Sequence, residues 1–419
     1  MKKLLSVLLF SVFAVMSAAA DVKLVFDGAA RVRYEFYNHS AALGLANDEQ
    51  SYFRFKVSAG VLADFYDTFS VYGKLTNESR LHLYNANKKI NDKIDETVID
   101  NLFINVPGLF GAFDIKAGRM DLAIPEYGEG FLFSDGTPLD GSRTFYFNAA
   151  RIRYVATPKS NIELLGIYNP KYDEWPVIND KDKPLNDSLE KAFAVYGRSK
   201  ITEKLYIEPY YIWKTEDLGP FGKDVSINTL GSYVKYGMGK AVVRAQAAAQ
   251  LGSYGDETGR AFGGYAYLDI PVMDIVKPLT VGYVHLSGND ENSKTVGAWN
   301  PLFGRFPALS EIMHVLYRQE AGLGYWTNLR LLKLETTFKP LEKMSVIASF
   351  NFAYANETVT GIMFGDGKHR GNLARCRVGY NFSKNFSSSI LGEYFIPGNF
   401  YYKDAKDASF LRAEFMAKI

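Results

Sequence analysis

DGAARVRYEFY, residues 27–37, alternates between polar and apolar side chains. Arg31, Arg33 and Glu35 fall on one face of an extended chain, and Val32 and Tyr34 fall on the other. A strand alternates in this way when one face meets an apolar environment and the other meets water. The segment therefore predicts a β-strand with one apolar face, and the same alternation recurs to the end of the chain.

The connections between the alternating segments follow a rhythm of long loop and short turn. The nine long loops lie near residues 38–50, 81–96, 119–142, 169–190, 215–226, 252–260, 288–326, 355–370 and 397–407. The eight short turns lie near residues 62–68, 107–112, 156–160, 200–203, 237–239, 271–277, 339–343 and 382–385. Such asymmetry is typical of antiparallel barrels that cross an outer membrane, with short turns in the periplasm.

The fold expected is therefore all-β, a transmembrane antiparallel β-barrel of about 18 strands. A soluble β-sandwich or lectin is the alternative, since its strands also alternate. A soluble sandwich does not need the regular asymmetry of the loops, so the barrel is preferred. In the barrel, the apolar face should meet lipid. The side chains expected there are Phe53, Phe55, Ile152, Val195, Ile207, Tyr211, Phe350 and Phe352.

Residues 1–20 have the features of a secretory signal. Lys2 and Lys3 precede a short apolar stretch, and Ala18 to Ala20 form a small-residue cleavage site. We expect residues 21–419 to form one outer-membrane barrel domain, located in the bacterial outer membrane after cleavage. Without the two signal lysines, the 48 basic residues become 46, which equals the 46 acidic residues. Function must therefore depend on where the charges lie, since the net charge is close to zero.

The composition gives little support for metal or redox chemistry. Cys376 is the single cysteine, so an intramolecular disulfide and a multi-cysteine metal site are excluded. The five histidines are scattered without ligand spacing. We therefore expect no metal, no other cofactor and no nucleic acid partner.

Basic side chains are frequent on the face predicted to line the lumen. They are Arg31, Arg33, Arg54, Lys56, Lys116, Arg151, Arg153, Arg198, Arg244, Arg375 and Arg377. Arginine suits carboxylates because its planar fork binds them at two points. Carboxylates on neighbouring strands could pair with these cations, which leaves a neutral lumen as the alternative. The available acids are Asp27, Glu35, Glu78, Asp114, Glu163, Glu208, Glu393 and Glu414.

Several stretches resemble the alginate export family of outer-membrane barrels. They are FDIKAGRMDL (113–122), GSRTFYFNAARIRY (141–154), VGYVHLSGNDE (281–291), WNPLFGRFP (299–307) and LGEYFIPGNF (391–400). The resemblance implies a monomeric 18-stranded barrel that passes a polyuronate through an arginine-rich lumen. Its Gly-Arg motif adds Arg119, at the mouth of the lumen, to the expected substrate-binding residues. Outer-membrane lipid, an anionic saccharide or small solute and periplasmic export components are the partners expected.

The function expected is thus an outer-membrane channel for anionic solutes, with a general-diffusion porin as the alternative. An enzyme is the rival class, but no Gly-x-Ser-x-Gly motif is present, and His285 and Ser287 share only one face of a strand. A plugged, purely structural barrel is the third class. The loop 288–326 could fold inward as a constriction or stay outside, and Ser310 followed by Glu311 could start a short helix in it.

Overall fold

The structure, a computed structural model, describes most of the chain after the expected signal. The described residues are 22–66, 68–85, 94–122, 131–133, 147–172, 188–219, 222–272, 278–304, 309–317 and 326–419. The expected signal peptide, residues 1–20, lies outside them.

Nineteen strands and one short helix are present in the described residues. The first strands are β1 (Val22–Asn38), β2 (Gln50–Phe65), β3 (Phe69–Asn85), β4 (Ile94–Leu109), β5 (Phe113–Met120), β6 (Phe147–Thr157) and β7 (Ser160–Asn169). The next are β8 (Leu189–Lys200), β9 (Leu205–Asp217), β10 (Val225–Met238), β11 (Ala241–Tyr254), β12 (Glu257–Ile270), β13 (Leu279–Leu286) and β14 (Thr295–Val296). The helix α1 (Glu311–Tyr317) precedes β15 (Leu329–Phe338), β16 (Met344–Tyr354), β17 (His369–Asn381), β18 (Phe386–Pro397) and β19 (Ala408–Lys418).

Eighteen of these strands form one closed antiparallel barrel. Each pairs with its neighbours in sequence, and β1 closes the barrel by pairing with both β2 and β19. The two-residue β14 lies inside the loop between β13 and β15 and pairs in parallel with the start of β12. Closure leaves no strand edge unpaired, which is what a lipid environment requires. The predicted fold and strand number are confirmed.

The two faces of the wall differ as the alternation predicts. In β1, Arg31 and Arg33 are at most 3% exposed, whereas Val32 between them is 38% exposed. The side chains expected to meet lipid all lie on the outer face, where they alternate with more buried neighbours. Cys376 is exposed on this face too. Among the described residues, no helix is long and apolar enough to cross a bilayer.

One predicted loop is wrong. Residues 252–260 were expected to form a long outer loop, but β11 continues to Tyr254, β12 begins at Glu257, and a two-residue turn joins them. Gly255 adopts a positive φ of 57° in this turn, which glycine tolerates without strain. The polar residues that suggested a loop lie in strand ends, where the outer face no longer needs to be apolar.

The outer face provides a first test of the barrel. Phe350 lies near the middle of β16 and is 39% exposed. Phe350→Arg should lower the free energy of unfolding in lipid vesicles by roughly 2–4 kcal/mol, because it places a charge near the bilayer midplane. Phe338→Arg, at the end of β15, is the matched control and should cost roughly 0–1 kcal/mol. Equal effects of the two substitutions would contradict the placement of the barrel in the bilayer.

Candidate functional site: the lumen

The long loop between β13 and β15 folds into the barrel. Ser310 caps α1, because its Oγ accepts the backbone N–H of Met313 at 3.1 Å. Glu393 of β18 accepts the backbone N–H groups of Glu311 at 2.9 Å and Ile312 at 3.1 Å. Four side chains of the helix, those of Ile312, Met313, Leu316 and Tyr317, are at most 2% exposed. The helix expected from Ser310 is therefore present, and the loop lies inside the barrel.

Arg412 of β19 ties this helix to the barrel wall. Its guanidinium reaches Glu311 of α1 at 2.9 Å through Nη1 and Glu35 of β1 at 2.7 Å through Nη2. All three side chains are at most 7% exposed. Buried charges persist only when they are paired, so this bridge fixes the helix against one side of the lumen.

The first part of the same loop packs against the opposite side. The indole of Trp299 lies over Gly263 of β12, where a Cβ would come within 2.5 Å of the ring. Lys214 of β9 donates to the backbone carbonyl of Leu302 at 2.9 Å, and its ammonium lies 4.4 Å from the centre of the Phe303 ring. The loop therefore crosses the lumen from β12 to β19.

A second inward segment meets this loop. The segment 131–133, between β5 and β6, stacks Phe133 on Phe303 with ring centres 5.5 Å apart. Phe131 stacks on Trp299 in the same way at 5.4 Å. Stacked aromatic pairs of this kind add to the stability gained from burial. The two segments together form an aromatic constriction on the inner side of β8 to β12.

On the other side, β1, β2, β3 and β19 carry a cluster that we call the basic wall. Its cations are Arg31, Arg33, Arg54, Lys56 and Arg412, and its acids are Glu35, Glu78 and Glu414. Arg54 donates to Glu78 at 2.8 Å and lies 3.6 Å from Glu35, while Arg33 donates to Glu414. The cations are at most 10% exposed, so little of each side chain is open to the water of the lumen.

A second basic cluster surrounds one buried carboxylate. Glu163 of β7 is fully buried, and the guanidinium nitrogens of Arg151, Arg153 and Arg198 lie 3.7, 3.7 and 3.4 Å from it. These three arginines are 12%, 28% and 13% exposed, respectively. They therefore share one carboxylate on the wall and present part of each side chain to the lumen.

Arg119, which the family resemblance placed at the mouth of the lumen, is fully buried. It donates to the side-chain oxygen of Asn148 at 3.1 Å and to the backbone carbonyl of Ile99 at 2.9 Å. These contacts hold β4, β5 and β6 together at the point where the chain leaves β5. A passing solute has no direct access to this side chain.

The remaining predicted cations lie elsewhere around the lumen. Arg244 of β11 binds Asp269 at two points, 2.7 and 3.1 Å, and is 24% exposed. Arg375 of β17 lies 3.2 Å from Glu393, the carboxylate that receives the helix N–H groups. Arg377, two residues further along β17, is half-buried. The predicted residues thus divide into a buried group (Arg31, Arg33, Arg54, Lys56 and Arg119) and a water-facing group (Arg151, Arg153, Arg244, Arg375 and Arg377).

Several lumen cations of the described residues were not predicted, among them Arg412, Lys214 and Arg370. Arg412 and Lys214 were on polar faces of recognised strands, so the alternation could have nominated them. Arg370 fell in an expected loop, although it lies in β17 and donates to the carbonyl of Asn328 at 3.2 Å. His285 and Ser287 form no catalytic pair, since the Ser287 hydroxyl donates to the carbonyl of Gly297 at 2.6 Å.

The structure is similar to several solved barrels. OccAB1 from Acinetobacter baumannii matches with a TM-score of 0.61 and 8% identity, over 94% of this chain and 96% of that one. The fold is that of an outer-membrane porin. A BenF-like porin from Pseudomonas fluorescens Pf-5 matches with a TM-score of 0.58 and 11% identity, over 96% of this chain and 99% of that one. The outer membrane protein OpdK from Pseudomonas aeruginosa matches with a TM-score of 0.55 and 9% identity, over 95% of this chain and 98% of that one.

These likenesses concern the fold alone. A closed 18-stranded barrel with an apolar outer face is the structure of a protein of the bacterial outer membrane. No family model and no curated protein matches the sequence. The expected membership of the alginate export family is therefore not supported, although the barrel and strand number that it implied are present. A porin fold hosts many solutes, so the solute must be argued from the lumen itself.

Proposed function

We propose that the protein is an outer-membrane channel for small carboxylated solutes. The support comes from like charges placed directly opposite each other on the inner wall. Arg31 pairs in register with Lys56, and Arg33 pairs with Arg54, on β1 and β2. Like charges directly opposite each other on neighbouring strands destabilise a sheet. The acids of the basic wall offset part of this repulsion, but the wall still holds five cations against three acids, and this excess favours an anion in the lumen.

A third pair extends the argument to another part of the wall. Lys116 of β5 lies in register with Arg151 of β6, and Arg153 follows on the same face. These side chains are partly exposed, so they can contact a solute directly. Several weak contacts in series let an ion enter and leave without being trapped.

The inward segments favour small solutes over polymers. The loop between β13 and β15 crosses the lumen, and the segment 131–133 packs against it. An 18-stranded barrel without such segments would leave a wide aqueous channel. Export of a polyuronate, suggested by the family resemblance, is therefore the second candidate. A general-diffusion porin for hydrophilic solutes differs from the main proposal in that carboxylates should not reduce its current.

Removing water-facing arginines tests this proposal. Arg151→Gln combined with Arg153→Gln should move the reversal potential toward cation permeability and weaken block by glucuronate, because positive charge is lost from the lumen. The effect should shrink at high salt, since the Debye length falls to ~3 Å at 1 M. Arg198 stays in this variant, so Glu163 keeps a cation beside it.

Lys159→Gln is the matched control, because Lys159 is 63% exposed in the turn between β6 and β7. It should leave both properties unchanged. If the double variant keeps the ion selectivity of the wild type and its block by glucuronate, the arginines serve only to pair with Glu163. That result would favour the general-diffusion porin. Block by a long uronate polymer as strong as block by the monosaccharide would favour the polymer candidate.

A further inference from the structure

A separate cavity lies in the half of the lumen nearest the short turns, away from the constriction. It has a volume of about 580 Å³ and lies between the ends of β8, β9, β10 and β11. Lys204, Tyr206, Glu208, Tyr233 and Lys235 are among the side chains that line it. Pockets that bind small ligands typically have volumes of ~300–1,000 Å³. The cavity is therefore large enough for a small organic molecule.

The acids of this cavity are already engaged. Glu208 is 3% exposed and accepts the hydroxyl groups of Tyr196 and Tyr206, both at 2.6 Å. Glu203, in the turn between β8 and β9, binds Lys159 at 3.3 Å and also Lys200. The carboxylates nearest the cavity therefore have their own donors.

Two lysines of the cavity are in a different situation. Lys204 and Lys235 are exposed, and neither ammonium forms an ion pair with a described residue. Lys235 lies in β10, and Lys204 lies in the turn just before β9. The two lysines are close because Tyr236 of β10 is paired in register with Leu205 of β9. Two such cations on one side of a cavity favour a negatively charged occupant.

The uncharged part of the cavity has a distinct shape. The rings of Tyr206 and Tyr233 are inclined at 69° with their centres 6.4 Å apart. The edge of one ring therefore points at the face of the other, and the two rings form an aromatic corner. Leu205 and Val242 add apolar surface. Gly237 leaves the floor open, because a Cβ there would meet only Lys204 atoms at 3.8 Å or more. Aromatic corners of this kind accept a planar ring by stacking and edge contacts.

We infer that this cavity is a second solute site, at the periplasmic end of the lumen, for a small carboxylate that carries a ring. The carboxylate would contact Lys204 and Lys235, and the ring would lie in the corner of Tyr206 and Tyr233. The inference rests on the proposed channel function and adds a substrate class and a place to it. A solute would meet this site after the constriction on its way in, or before it on its way out.

The test uses the full-length channel in a planar bilayer, with phenylacetate added to one side at a time. Lys204→Gln combined with Lys235→Gln should weaken block from the short-turn side by roughly tenfold, as expected for the loss of charged hydrogen bonds. Block from the long-loop side should change little, because the constriction is intact. Acetate, which lacks the ring, and benzyl alcohol, which lacks the carboxylate, should both block the wild type less than phenylacetate does.

Two further variants make the result decisive. Lys384→Gln, in the turn between β17 and β18 at the same end of the barrel, should leave the block unchanged. Gly237→Val places an apolar side chain in the cavity without changing its charge and should weaken block from the short-turn side. If neither the double variant nor Gly237→Val alters an otherwise anion-selective channel, the second site is refuted. A wild type without anion selectivity refutes the proposed function instead.

Discussion

Replacing residues 287–328 by an Asn-Gly turn is expected to raise the conductance of the channel roughly twofold or more, since an 18-stranded barrel whose lumen is not filled leaves an aqueous channel. The variant is feasible because Leu286 and Leu329 are paired in register, so a two-residue turn can join β13 to β15. Each barrel strand keeps both of its neighbours, so the wall should still close. The increase should be accompanied by loss of discrimination between small and large solutes.

The matched control for this deletion changes an outer turn that lies at the same end of the barrel. Gly255-Asp256, between β11 and β12, can be replaced by Asn-Gly, and the conductance should then stay at the wild-type value. Resistance of both variants to detergent until they are boiled would show that the barrels have formed. A folded deletion variant with unchanged conductance would contradict the role of the loop as a constriction.

Glu163→Gln is expected to lower the free energy of unfolding by about 3–5 kcal/mol, which is typical when one partner of a buried ion pair is removed. The substitution keeps the shape of the side chain but removes the charge around which Arg151, Arg153 and Arg198 gather. Urea unfolding in lipid vesicles, followed by tryptophan fluorescence, measures the loss. Because three positive charges remain, the folded variant should also prefer anions more strongly than the wild type.

Glu203→Gln is the control for Glu163→Gln. Glu203 also contacts more than one cation, Lys159 and Lys200, but it lies in an exposed turn at the rim of the lumen. Exposed ion pairs contribute little to stability, so this variant should have the same free energy of unfolding as the wild type. If Glu163→Gln also has the free energy of unfolding of the wild type, water and neighbouring groups screen the three arginines. The positive electrostatic field in the lumen is then weaker than proposed.

The sequence was sufficient for the barrel because lipid imposes a strict rule on every spanning strand. Phe53 and Phe350 must alternate with polar neighbours, and this pattern made the strands and their faces predictable. The rule ends where the strand leaves the bilayer. Glu257 and His369 lie in strands that extend beyond the apolar belt, so they were assigned to loops.

The site was predictable only in part, because burial inside the lumen depends on loops that carry no periodic signal. The alternation placed Arg33 and Arg153 on the inner face alike, yet Arg33 is fully covered and Arg153 is 28% exposed. Ser310 followed by Glu311 indicated the helix through its capping chemistry. The partner that fixes that helix, Glu393, lies 83 residues away from Ser310 and could not be inferred from local sequence.

The reversal potential of the wild-type channel in an about tenfold gradient of potassium chloride tests the central claim most directly. The account predicts anion preference at low salt, which declines as the Debye length shortens. It also predicts that glucuronate reduces the current. A reversal potential of the opposite sign, with no block by the carboxylate, would contradict the proposal that the basic lumen carries small acidic solutes.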